Sequence, residues 1–361
     1  MALRKNSGNF DSKINISPYG IKELKWWKNH IKQSYKHICM KNPDLTLETD
    51  ACETGWRAVY KKGRAHGVWT STEKSSHINV LELRAILFGL KSFFPGVCDT
   101  HFLIYCDNIT AVHTVNKMGT SHSWECNEVV QKIWSWAIPR KNWITVTHVP
   151  GKNNIQADTE SRRDVKNKEW MMHKDVYKKF CQRLNSIHRI DLFASRVNYQ
   201  IKPFISYGPD PEAKFVNAFT VDWGEWSPIY AFPPFAIIGK VLQKIKQDCA
   251  EGIVIVPNWP NQVWFSVLCR MLIDLPFVLH HRKKLLSLPS YPEETHPLLP
   301  KTKLLACRLS GNRSTCKNFQ KKLSTLSLTA GAKVQENNTH RVLKSSFGTV
   351  LNGSWIPFTL L

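Results

Sequence analysis

Four carboxylates constrain this chain more than any other feature: Asp50 at the end of LTLETD, Glu82 within INVLELRA, Asp107 directly after FLIYC, and Asp158 in NNIQADTESR. Each stands at a strand end or inside an otherwise apolar stretch. Four negative charges share a site only where cations offset their repulsion. Hard oxygen ligands of this kind suit magnesium or manganese rather than zinc. Two such ions about 4 Å apart can activate a water and stabilise the leaving oxygen of a phosphodiester. Taken singly, Asp50, Asp107 and Asp158 read better as turn or helix-cap residues, and only together do they point to a metal site. Glu82 has its own plain alternative, a capping box with Asn79.

The pattern around these residues predicts a mixed sheet flanked by helices. LTLETD, GWRAVY and HGVWTS read as three strands joined by short connections, with KKGR as a turn. Asn79 to Phe94 reads as a helix that ends before Pro95-Gly96. Phe102 to Cys106 is an unbroken apolar run of strand length, and Asp107-Asn108 opens another helix. Cys126, Val129, Val130, Ile133, Trp134 and Ala137 form one apolar stripe, so the helix carrying them faces the core. Trp143 to His148 alternates as a last strand, and Ile155 to about Val165 reads as a closing helix. The order is β-β-β-α-β-α-α-β-α.

Ahead of this unit, Leu24, Trp27, Ile31 and Tyr35 recur at helical spacing between Ile21 and Ile38, with lysines on the other faces. This basic amphipathic helix either contacts nucleic acid or only packs on the next domain. The net charge of +22 is concentrated in the first forty residues and the last eighty, and it favours a polyanionic partner, nucleic acid first. The ten cysteines form neither a C-x-x-C pair nor a zinc spacing, so reduced thiols in a soluble, intracellular protein are expected. No stretch is apolar for long enough to span a bilayer, and no membrane partner is expected.

The strings TDACETGW, HINVLELRA, CDNITAV, VNKMG and HVPGKNNIQADTESR resemble the ribonuclease H domain of DIRS-like retrotransposon polyproteins. That resemblance implies a ribonuclease H-like five-stranded sheet over 43–165, and hydrolysis of the RNA strand of RNA–DNA hybrids. It implies two magnesium ions, with manganese as a substitute, held by Asp50, Glu82, Asp107 and Asp158. Asn79 matches an asparagine that contacts the minor groove, where the RNA 2′-hydroxyl is displayed. Residues 1–42 then read as a basic lead and helix left from a polymerase connection, and a reverse transcriptase portion is the expected companion. Two departures stand out. Arg57 occupies a position where the family usually has glycine, and Lys152 follows Gly151 where cellular enzymes have a loop histidine, with His148 a weak substitute. The first motivates a competing reading, a nucleic-acid-binding remnant whose catalysis has decayed. The second implies a slower enzyme.

Past a charged helical linker at 166–186, IDLFAS, PIYAFPPFAIIGKVLQKIKQ and GIVIVPNW predict a small α/β domain over 187–286. These strings resemble the methyltransferase-like domain that follows ribonuclease H in the same elements, related to adenine-N6 DNA methyltransferases. In that family an Asp, Asn or Ser precedes two prolines and holds the target amine, and the next aromatic stacks on the flipped base. Here the tetrad is Phe232-Pro233-Pro234-Phe235, and Phe232 cannot accept a hydrogen bond from an amine. Asp191 matches an acidic strand-end residue that faces a cofactor ribose or is only a turn residue. No glycine-rich cofactor loop is visible, so a degenerate, structural module is expected over an adenine methyltransferase. Residues 287–361 carry little periodicity and are expected to form a largely irregular tail.

Overall fold

The structure is a computed structural model that describes residues 13, 15–32, 42–150, 170–279, 285–289, 294, 296–297 and 302–329. After helix α1 (Pro18–His30), the strands β1 (Leu45–Ala51), β2 (Gly55–Tyr60) and β3 (Gly63–Val68) form an antiparallel meander. The short helix α2 (Ser71–Lys74) and the long helix α3 (Ile78–Phe93) follow, then β4 (His101–Cys106), α4 (Ile109–Asn116), α5 (Trp124–Ala137) and β5 (Trp143–His148). The sheet order is β3-β2-β1-β4-β5, with β1, β4 and β5 parallel. This mixed α/β architecture is the ribonuclease H-like arrangement. The final helix expected from Ile155 lies outside the described residues, as does the portion of α1 expected beyond Lys32.

One face of this sheet is closed by α3 and α5. Leu47 and Ala51 on β1, Trp56 and Ala58 on β2, and Phe102, Ile104 and Cys106 on β4 all turn toward these helices and are buried. The α5 stripe expected from the spacing is buried in full, from Cys126 to Ala137, whereas Trp124 stays exposed. Gly89 is required where α3 crosses the sheet, because a Cβ there would stand 2.8 Å from the Ala58 Cβ and 3.1 Å from a Leu47 methyl. The helix start differs from the expectation. His77 is the cap, its Nδ1 accepting from the Asn79 backbone N–H at 3.2 Å, so the Asn79–Glu82 capping box is not made. A capping box forms instead at α2, between Thr70 and Glu73.

The second sheet is larger than expected. Its order is β12 (Phe277–Leu279), β14 (Leu304–Ser310), β11 (Glu251–Pro257), β10 (Ile229–Ala231) and β7 (Ile190–Asp191). The last three are parallel, and β14 runs antiparallel between β11 and β12. Helices α7 (Ile238–Gln247), α8 (Val263–Met271) and α9 (Arg313–Thr329) belong to the same unit.

The domain boundary expected at 286 therefore moves: β14 is an interior strand whose residues LLACRLS are nearly all buried. The stretch 166–186 is not merely a linker either. There β6 (Met171–Met172) pairs with β13 (Leu286–Ser287), and α6 (Lys174–Arg183) buries Phe180 against Tyr230. A small ribbon, β8 (Ile205–Ser206) with β9 (Phe215–Val216), completes the domain.

Arg196 bridges the two domains. Arg196, in the loop after β7, donates to both carboxylate oxygens of Glu73 at 3.1 and 2.7 Å and to the Val68 carbonyl at 2.8 Å. Its guanidinium also lies 4.6 Å from the centre of the Phe88 ring on α3. Burial alone would raise the Glu73 carboxyl, but the Arg196 hydrogen bond and charge outweigh it and hold the group below its ordinary value. Among the described residues no helix is long and apolar enough to cross a membrane, and the described cysteines are all unbridged thiols.

Candidate functional site

Strand register brings the first carboxylates together. The parallel β1–β4 ladder runs to the pair of Glu48 with Tyr105, and Asp50 and Asp107 each follow two residues later, at neighbouring strand ends. Alternation along each strand puts both on the sheet face that α3 does not cover, half-buried. Glu82 reaches the same strand ends from α3, held close by the Gly89 contact, and is only 3% exposed. Its carboxylate accepts from the Ala51 backbone N–H and, at 3.8 Å, from the Cys106 thiol. Burial, reinforced by the charges of Asp107 and then Asp50, pushes the Glu82 carboxyl up to about 9.

One ligand atom from each of Glu82, Cys106 and Asp107 lies within 4.8 Å of the others. Burial and the neighbouring Glu82 hold the Cys106 thiol well above its ordinary value, so it stays S–H and donates rather than ligates. What remains in the close group is oxygen, the Glu82 carboxyl, raised first by burial and then by the charges of Asp107 and Asp50, and the Asp107 carboxylate, donors of the kind a hard dication takes. Asp158, the fourth expected ligand, lies outside the described residues.

A cation of the chain's own stands in the same row. Arg57 pairs with Asp50 across β1–β2 and with His66 across β2–β3, so His66, Arg57, Asp50 and Asp107 follow one another over the uncovered face. A groove of about 760 Å³ opens between the starts of α3, α4 and α5, lined among others by His77, Asn79, Thr110, His113, Lys117 and His122 and by none of the carboxylates Asp50, Glu82 and Asp107. Asn79 is fixed at its rim, its side-chain oxygen accepting from the Asn108 amide at 2.9 Å, while Asn108 caps α4 through the Ala111 N–H. The expected substrate-contacting asparagine is thus tied to the residue after Asp107.

The second domain's motif sits at the carboxyl end of β10. Phe232 and Phe235 lie 6.4 Å apart, and Phe235 meets the Trp259 ring edge-on at 5.4 Å. Pro233 is buried and Pro234 is exposed. Asp191 is turned inward, with Oδ2 accepting from the Gln200 N–H at 2.9 Å and Oδ1 buried without a partner. Burial pushes its carboxyl up to about 7. The loop after β7 is committed to the first domain through Arg196.

Cys106, Arg196 and Glu73 were not anticipated from the sequence, nor was the facing of Asp50 and Arg57. Cys106 carried a readable signal, since alternation from Asp107 places its side chain on the helix-covered face. The facing of Asp50 and Arg57 depends on a β1–β2 register that the turn alone left open. Arg196 and Glu73 are 123 residues apart and carried none.

No protein-family model matches the chain, and no curated protein matches it. Among solved structures, the crystal structure of prototype foamy virus protease-reverse transcriptase (native) aligns with a TM-score of 0.22 at 11% identity. The alignment covers 41% of this chain and 22% of that one, so the chain spans about a fifth of that structure's length.

Proposed function

We propose that the first domain is a ribonuclease H-type endonuclease that hydrolyses the RNA strand of RNA–DNA hybrids with two magnesium ions, within a retroelement-derived chain of the DIRS-like kind. One observation carries this reading: Glu82 is buried on α3 at the strand ends that carry Asp107 and Asp50, and burial first, then the charges of Asp107 and Asp50, push its carboxyl up to about 9. A site built only to be stable would not gather these charges at one sheet edge.

Asp50 and Asp107 are the central ligands, Glu82 supports them from α3, and Asp158 closes the set. Magnesium bound there supplies an activated water and offsets charge on the leaving oxygen. Asn79, held by Asn108, is placed to meet the minor groove and its 2′-hydroxyls, and Lys117 to meet phosphate. A labelled hybrid incubated with magnesium tests the proposal. Asp50→Asn abolishes cleavage while hybrid binding persists or tightens, because shape is kept and only the charge opposing two dications is lost. Asp158→Asn weakens cleavage and is partly restored by manganese. Cleavage retained in Asp50→Asn removes the basis of the reading.

Arg57 supports a second reading, a nucleic-acid-binding remnant in which a guanidinium beside Asp50 takes the place of a metal ion. A wild-type chain that binds hybrid but leaves it whole in both metals favours that alternative. For the second domain we propose a structural role rather than methyl transfer, supported by Phe232 in the tetrad and the inward Asp191. Methyl incorporation into DNA from labelled S-adenosylmethionine would overturn it.

A further inference from the structure

Helix α1 is exposed along almost its whole length, which is unusual for a helix with so many large apolar side chains. Leu24, Trp27 and Ile31 are 57%, 52% and 61% exposed. They recur at i, i+3 and i+7 and form one ridge. Lys25, Lys28 and Lys32 repeat the same spacing one residue later, which sets a basic ridge beside the apolar one, rotated by about 100°. The helix is anchored by Ser17, whose Oγ accepts from the Gly20 N–H at 3.1 Å, and the ladder runs on to the Ile31 N–H bonding Trp27 at 2.9 Å.

Glu23 is the one acidic residue of Pro18–His30, and it sits on the side opposite the lysine ridge. Its Oε1 accepts from the Gln131 amide on α5 at 3.0 Å. The contact with the domain therefore uses the negative side of the helix and leaves the positive ridge facing away.

We infer that α1 is a docking ridge for single-stranded nucleic acid, with phosphates along Lys25, Lys28 and Lys32 and bases laid against Trp27, Leu24 and Ile31. Charge complementarity selects a polyanion, and the adjacent apolar ridge, with Trp27 as its stacking ring, selects one whose base faces are open. A duplex offers the phosphates but hides those faces. An anionic bilayer fits less well. The ridge is short, and its one aromatic, Trp27, meets the Trp26 ring edge-on at 5.1 Å instead of standing free to enter acyl chains. The inference does not depend on hydrolysis at the carboxylates.

The test is the anisotropy of a short labelled single-stranded DNA binding to the full chain in EDTA, titrated at several salt concentrations. Combined Lys25→Ala, Lys28→Ala and Lys32→Ala should lower the slope of log affinity against log salt by about 2. Trp27→Ala should weaken binding about 10-fold, with Trp27→Phe restoring most of it. These side chains are exposed, so circular dichroism and melting should match the wild type. Unchanged affinity and salt slope in both variants overturn the inference. So does a pattern in which the variants lose binding to phosphatidylserine vesicles but keep binding to DNA. Because no cleavage is read, an inactive nuclease leaves the result interpretable.

Discussion

Arg57 stands directly opposite Asp50 across β1–β2, on the sheet face that carries the carboxylates. Directly opposed residues of an antiparallel pair have Cβ atoms about 5 Å apart, so a guanidinium is tethered where the central metal ligand must work. An arginine competes with a dication for the same carboxylate charge. Arg57→Gly should lower the magnesium concentration for half-maximal cleavage of a labelled hybrid by about 10-fold, equivalent to about 1.4 kcal/mol. Should the variant need as much magnesium as the wild type, Arg57 does not oppose metal binding.

The Arg196–Glu73 contact should be worth more than a surface ion pair, because Arg196 is nearly buried and also meets the Val68 carbonyl and the Phe88 ring. Arg196→Ala should cost about 2–4 kcal/mol in denaturant unfolding, discounted for the partial exposure of Glu73. A double-mutant cycle with Glu73→Ala should recover a coupling of at least about 1 kcal/mol. Additive losses would show that the pair does not couple the domains.

Two buried groups of the second domain should pull its pH dependence in opposite directions. Asp191 is raised to about 7 by burial, so its contribution is complete below the unfolded value and fades as pH rises through about 7. His188 is lowered to about 4 by burial and by Arg308, so its contribution is present at neutral pH and fades as pH falls from 6.5 through about 4. Over pH 4 to 6.5 the two slopes nearly cancel in the wild type. Asp191→Asn should leave stability that rises with pH in this window, and His188→Gln should leave stability that falls, each by up to about 1.4 kcal/mol per pH unit. Chemical denaturation across the window reads both slopes, and parallel curves for the two variants would contradict the assignment.

Much of this was readable in the residues. The alternation of LTLETD and GWRAVY, the α5 stripe and the apolar run before Asp107 specify the first sheet and its helices, because each buries one face with its own period. The convergence of Asp50, Glu82 and Asp107 follows from their positions at strand ends and on the glycine-bearing face of α3. The cap of α3 was not legible, since a histidine ring nitrogen substitutes there for the more usual asparagine oxygen. The reach of the second domain was not legible either. The run LLACRLS sits among Pro- and Lys-rich stretches whose composition hides a single buried strand.

That strand sets a sharp limit on truncation. A chain ending at Leu286 loses β14, with the buried Leu305, Cys307 and Leu309, and so exposes the β11 edge and the core those side chains cover, whereas one ending at Thr329 keeps the strand. The longer chain should unfold cooperatively, and the shorter should keep a folded first domain while its second part binds a hydrophobic dye. Limited proteolysis checks this: a protected fragment ending near 286 would show that β14 is dispensable.

The placement of β14 also matters during synthesis. The first sheet is complete once His148 has left the ribosome, but the apolar strand β11 waits for a neighbour encoded roughly fifty residues after its own end, on the order of several seconds at cellular elongation rates. For that interval EGIVIVP presents an open edge of the kind that pairs with another nascent chain. Crowded polysomes, rather than the finished protein, are where this molecule is most exposed to aggregation.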